Sequence, residues 1–178
     1  VSAHADVLSR HWHQNDPGVV PNFVQTGAGS PTGITVYEGD LLPEQFRGKV
    51  LHCDAGPGVL WAADGGAEGA GFAAEMVHLV ESPTDKWFRP VDVAVAPDGS
   101  LFLSDWYDPV VGWNRQTDLG KGRIYRIAPK DHRYRVPDFD FKTAVGATEA
   151  LKSPTYSVRA RAWQVLHGIL AYGSDFEL

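Results

Sequence analysis

The feature that most limits what this chain can become is an order of short strands and turns that occurs twice. In the first run, the segment GAGSPTG at 27–33 leads into the alternating residues Ile34, Thr35, Val36 and Tyr37. Lys49 to Asp54 read as a second strand, Gly58 to Ala62 as a third behind a Gly-Pro-Gly turn, and Glu75 to Val80 as a fourth. The order restarts at Pro90 to Val95 and passes the tight turn Pro97-Asp98-Gly99-Ser100. It continues with Leu101 to Asp105 and Gly122 to Ile127, and Tyr134-Arg135-Val136 is expected to supply the outer strand. Superposing the runs sets Gly33 on Asp92, Asp54 on Asp105 and Gly58 on Gly122. A four-strand unit recurring at about 40–50 residues has the spacing of β-propeller blades. Two unrelated meanders are the plainer alternative.

The expected fold is therefore mainly β: about two blades of a propeller, which is partial because about four to eight are needed to close one. A short helical segment follows. Residues 1–26 read as an irregular lead-in, 27–137 as the two blades and 138–178 as helical. Thr143 is placed to cap a helix running to Leu151, and Ser153-Pro154 ends it. Val158, Ala162, Val165, Leu166 and Ile169 then recur on one face of a second helix, with Arg159 and Arg161 expected to point outward. Two short helices joined at a proline look like the start of an α-solenoid, and should pack on the sheets or on further helices.

Composition excludes several functions. With 43% hydrophobic and 21% charged residues the 178-residue chain is globular, and its formal charge of −6 repels a nucleic-acid backbone. No apolar run approaches the roughly 20 residues of a membrane span. The first residues lack the pattern of a signal peptide, and the absence of a starting Met hints at missing upstream sequence. Cys53 is the only cysteine, which excludes an internal disulfide, a thiolate metal cluster and a CxxCH haem attachment; it reads as a small buried hydrophobe.

The candidate site residues follow from propeller geometry, in which innermost strands line a channel and loops on one face form a funnel. Arg89 and Asp92 lie on or near the first strand of the second blade. Arg89 would offer a planar fork to an anionic oxygen, or would clamp Asp92 or a neighbouring blade. His52 stands where the second blade has Leu103, and is either a base for a hydroxyl proton or a hydrogen-bonded buried histidine. Trp106, Tyr107, Trp113, Asn114 and Arg115 fall in an insertion between strands, where aromatics beside polar groups suit a sugar or planar cofactor, or cover the blade edge. Asp54 and Asp105 recur in both units, which favours a scaffold role accepting hydrogen bonds from the following turn. His11 and His13, with Asp16 nearby, have the residue types of a metal site, but chance placement on a loop is the simpler reading and no metal site is expected.

The motifs SPTGITVYEG (30–39), LPEQFRG (42–48), HCDAGP (52–57), WFRPVDVAVAPDGSLFLSDWYDP (87–109) and GRIYRIAP (122–129) carry a family resemblance. They are similar to large planctomycete and verrucomicrobial proteins described as membrane-bound dehydrogenases or haem-binding CxxCH proteins. Their propeller resembles the six-bladed soluble quinoprotein glucose and sorbosone dehydrogenases. SPTYSVRARAWQVLH (153–167) looks like the first of the HEAT-like helices that follow that propeller. The resemblance implies an oxidoreductase acting on sugars or related alcohols. It implies pyrroloquinoline quinone and calcium in the full-length protein, and electrons passing to haem c on a module absent here. It further implies a periplasmic or cell-envelope location, and partners that are the rest of the same polypeptide. This chain by itself is expected to bind no cofactor and to be inactive. The rival expectation is a non-catalytic propeller and solenoid scaffold recognising protein or polysaccharide.

Overall fold

The structure, a computed structural model, describes residues 22–24, 26, 29–109 and 120–173. Its strands form two antiparallel sheets. The first holds β1 (Pro31–Val36), β2 (Val50–Asp54), β3 (Val59–Glu68) and β4 (Gly71–Glu81) in chain order. The second holds β5 (Pro90–Val95), β6 (Leu101–Asp105) and β7 (Arg123–Ile127), and the helices α1 (Ala144–Ala150) and α2 (Tyr156–Tyr172) follow. The chain is mainly β, as its pattern requires.

The two sheets share one register. Pro31 lies opposite Asp54 and Pro90 opposite Asp105, each with a bulge just inside it. Asp54 faces Val59, and Asp105 faces Arg123, so Gly58 superposes on Gly122. Both aspartates are buried, and both do the same work. Asp54 Oδ1 accepts from the N–H groups of Ser30 (2.9 Å) and Gly56 (3.2 Å). Asp105 Oδ1 accepts from those of Arg89 (2.8 Å) and Tyr107 (2.9 Å). Each carboxylate thereby fixes the residue before its sheet's first strand to the turn after its second.

The sheets pack face to face through a core of Leu51, Cys53, Leu60, Phe88, Leu101 and Leu103. Burial alternates in opposite phase on the matching strands. On β2 the residues turned to the second sheet are Leu51 and Cys53, while on β6 they are Leu101 and Leu103. Superposition matches Leu101 with Val50 and Leu103 with His52, so matching positions face opposite ways relative to the shared core. That is the relation of successive layers in a stack. Burial pushes the Cys53 thiol from 9.0 up to about 12, with the Asp92 charge adding to the effect. Because folding disfavours the thiolate, this stabilisation is complete below the ordinary thiol pKa and is lost as pH rises toward 12. A disulfide reagent at about pH 8 is therefore expected to label Cys53 only as fast as the chain opens, and fully in denaturant. Rapid labelling of the native chain would contradict this packing.

The outer strand expected at Tyr134-Arg135-Val136 does not form, and among the described residues the second sheet has three strands. A tight turn, with the His132 N–H on Pro129 O (3.1 Å) and Asp131 at φ 65°, takes the chain off β7. Asp98 then claims the segment, contacting the His132 ring (3.1 Å) and accepting from the Arg135 N–H (3.4 Å). Tyr134 packs edge-on against Phe102. The backbone donor a fourth strand would need is thus spent on a carboxylate.

The helices dock on the end of the sheets opposite the two aspartates. Thr143 caps α1 by accepting from the Gly146 N–H (3.1 Å). Val158 and Ala162 of α2 bury against Ala150, Phe139 and Phe141. Thr155 donates to Pro97 O (3.3 Å) in the β5–β6 turn. Arg161 is exposed as expected, but Arg159 turns inward. It donates to the carbonyls of Ser153 (2.9 Å) and Pro154 (2.8 Å) and pairs with Glu38 (2.7 Å). The carbonyls just ahead of α2 thereby hold a long side chain from its first turn. Among the described residues no helix is long and apolar enough to cross a membrane.

Candidate functional site

The concentration of polar and aromatic side chains lies where β5 begins and β6 ends. The β5–β6 ladder continues past the sheet: the Trp106 N–H donates to Arg89 O (2.9 Å) and the Asp108 N–H to Trp87 O (3.0 Å). This places Trp87 and Arg89 beside Trp106 and Tyr107. The Trp87 and Tyr107 rings lie 5.5 Å apart. Trp106 is 54% exposed, and its indole N–H donates to Asp108 (3.3 Å).

The Arg89 fork holds main-chain oxygens, donating to Phe88 O (3.1 Å) and Pro109 O (3.3 Å). It does not pair with Asp92, and its two hydrogen bonds are of the structural kind. Its Nε–H is buried with no acceptor among the described residues. An unanswered donor in that position costs free energy unless something supplies an oxygen. Gly58, at φ 72°, permits the junction, since a Cβ there would sit 2.8 Å from Phe88 O.

Two residues that the sequence did not single out complete the cluster. Arg123 grips Asp105 Oδ2 with Nε (2.9 Å) and Nη2 (2.6 Å), and also reaches Asp85 (2.9 Å). The first sheet has Val59 at the matching position, so this ion cluster belongs to the second sheet alone. Arg123's hydrogen bond is the main reason that the Asp85 carboxyl is held below its ordinary range. The guanidinium lies 4.0 Å from the Tyr107 ring centre, and Lys121 stands 5.6 Å over Trp87. Tyr107 has φ 53°, the left-handed region, where a non-glycine residue costs about 1–3 kcal/mol. The matching residue of the first sheet is Gly56, the other residue two beyond a buried aspartate. The arrangement offers aromatic faces and a buried donor, with its cations balanced by Asp85, Asp105 and Asp108, which suits a ring-shaped ligand carrying a hydrogen-bond acceptor.

The other proposed residues lie elsewhere. Asp92 is exposed on β5 and accepts from the Val93 N–H (2.9 Å). His52 is half-buried in a row with Ile34 and Trp61, on the face of the first sheet turned away from the second. The structure does not bring it together with Arg89. Trp113, Asn114 and Arg115, like His11, His13 and Asp16, lie outside the described residues. Among the described residues no group of three or more His, Cys, Asp or Glu side chains is placed to hold a metal ion. A cleft of about 370 Å³ lies at the opposite end, lined by Tyr37, Glu38, Asp40, Arg47 and Arg159, remote from this cluster.

No curated protein and no solved structure matches the chain. A family model described as a domain of unknown function matches residues 2–131, a span that includes both sheets and ends before the helices. The chain belongs to that family, DUF7133.

Proposed function

We propose that the chain supplies two neighbouring blades of a six-bladed β-propeller and the first HEAT-like helices of a quinoprotein-like dehydrogenase, of the planctomycete and verrucomicrobial kind, acting on sugars or related alcohols. The observation that supports the stack is that each sheet also carries large apolar residues on the face turned away from the shared core, among polar ones (Asp92, Ser104 and Arg126) on the second sheet. Turned away from the shared core lie Ile34 and Val36 of the first sheet and Phe102 and Ile124 of the second, with Ile34 67% and Ile124 74% exposed. A sheet with one face in water alternates apolar and polar residues; apolar residues on both faces suit a layer buried on both sides. Tyr156, Trp163 and Leu170 on the exposed side of α2 similarly suit a helix with a further neighbour.

In this reading Arg89, Trp106, Tyr107, Trp87 and Arg123 line the funnel. The free Arg89 Nε–H and the aromatic faces fit a carboxylate-bearing quinone or an acidic sugar. The described side chains do not include a calcium site, and the chain's one cysteine cannot attach haem c. Those groups, and the electron acceptor, would belong to other parts of a periplasmic or cell-envelope polypeptide.

The test is dye reduction by the complete gene product, reconstituted with pyrroloquinoline quinone and calcium and offered a sugar panel. Turnover is expected there and not in the isolated 178-residue chain, whose two sheets wall only part of a channel. Tyr107→Gly should keep the fold, because glycine stands at the matching position of the first sheet, yet weaken ligand binding by about 1–2 kcal/mol through loss of a stacking ring. Robust turnover by the isolated chain would refute the partial-propeller reading. Unchanged ligand affinity in Tyr107→Gly would remove this cluster from the site.

A further inference from the structure

The cleft of about 370 Å³ at the helix end of the sheets is separate from the aromatic cluster, and much of its lining is held in place by the fold itself. Tyr37 lines it with a side chain fixed at both sides of its hydroxyl, which donates to Gly99 O (2.8 Å) and accepts from the Leu42 N–H (2.8 Å). Gly39 lies so close to that hydroxyl that an added Cβ would sit 2.7 Å from it. Arg159 is held by Glu38 and by the carbonyls of Ser153 and Pro154. Gly48, at φ 74°, borders open space, since an added Cβ would meet nothing within 4 Å. The volume falls at the small end of ligand clefts, which run from about 300 to 1,000 Å³.

Four charged side chains line this cleft, two of each sign. Arg159 and Glu38 pair with each other (2.7 Å), which leaves Arg47 and Asp40. Both are exposed, and among the described residues neither side chain has a hydrogen bond or an ion pair. Their charges act on one common point. Burial pushes the Tyr37 hydroxyl above its ordinary range, the nearby Asp40 charge pushes it further, and the Arg47 charge opposes. A ligand of single charge would meet its own sign here as well as the opposite one. A molecule carrying both signs answers both side chains. We infer that the cleft binds a small zwitterion of the size of a free α-amino acid, its carboxylate on the Arg47 fork and its ammonium on Asp40. Contacts this open to water are weak, so the dissociation constant should lie in the millimolar range. The inference stands apart from the propeller reading, because the cleft is built from the first sheet's β1–β2 connection and the start of α2 alone.

The test is an NMR titration of the isotope-labelled 178-residue chain with L-alanine, N-acetyl-L-alanine and L-alanine amide. The first carries both charges, the second only the negative one and the third only the positive one. L-Alanine should shift the amides of Gly39, Asp40 and Gly48 and saturate, and each singly charged analogue should bind at least about fivefold more weakly. Arg47→Gln and Asp40→Asn should each weaken L-alanine by a similar factor, about fivefold. Both substitutions fall on exposed side chains, so unfolding temperatures should stay unchanged and separate lost binding from lost fold. Shifts that do not saturate by about 100 mM overturn the inference. So do analogues that bind as tightly as L-alanine, or a variant of either residue that binds it as well as the wild type, since each would mean that the two charges do not act together.

Discussion

Asp105→Ala is expected to be among the most destabilising substitutions in the chain. The carboxylate is buried, and it satisfies the N–H groups of Arg89 and Tyr107 as well as two nitrogens of Arg123. Its removal strands two main-chain donors and leaves Arg123 with only Asp85, so the loss should be about 3–5 kcal/mol. For a chain of this size that lowers Tm by roughly 10 °C or more. Asp54→Ala should cost less, about 2–3 kcal/mol, because Asp54 holds the same two kinds of N–H group without an arginine. Urea unfolding of the two variants checks the order. Equal losses would mean that the Arg123 cluster contributes little to folding.

Gly33→Ala should be as damaging for a different reason. β1 and β5 approach so closely at Gly33 that an added Cβ would lie 2.6 Å from Asp92 Cα and 3.0 Å from Val91 O. The obstacle is main chain, so no side-chain rotation relieves it, and the strands must part. Overpacking of this kind costs about 3 kcal/mol. It should also loosen the Thr32 hydroxyl, which lies 3.1 Å from Cys53 O and 3.0 Å from Pro90 O and ties the two sheets together. Asp92→Gly is not expected to rescue the fold, since the Asp92 Cα and Val91 O remain. Thermal unfolding of the single and double variants measures this, and rescue by Asp92→Gly would show that the carboxylate was the obstacle.

Much of the architecture was legible because repetition encodes it. Asp54 and Asp105 could be assigned a scaffold role on recurrence alone, and the N–H donors that converge on them supply the mechanism. His52 attracted notice because its counterpart is Leu103. In a stack, matching positions of adjacent layers face opposite ways relative to the contact between them, so His52 faces away from a core that Leu103 enters. The missing fourth strand of the second sheet was not legible. Tyr134-Arg135-Val136 has strand-forming residues, but the choice between β7 and Asp98 for the Arg135 N–H depends on a turn at Asp131 that propensity does not reveal. Arg123 and Asp85 escaped because they are far apart in sequence. The available signal was a charge at the start of β7 where the first sheet has Val59.

The most direct test of the layered, propeller-forming reading is a crystal or cryo-electron-microscopy structure of the complete gene product. It should place one further sheet against Ile34 and Val36 and another against Ile124, with β1 and β5 innermost around a shared axis. Either of those apolar faces standing open to solvent in the complete protein would contradict it.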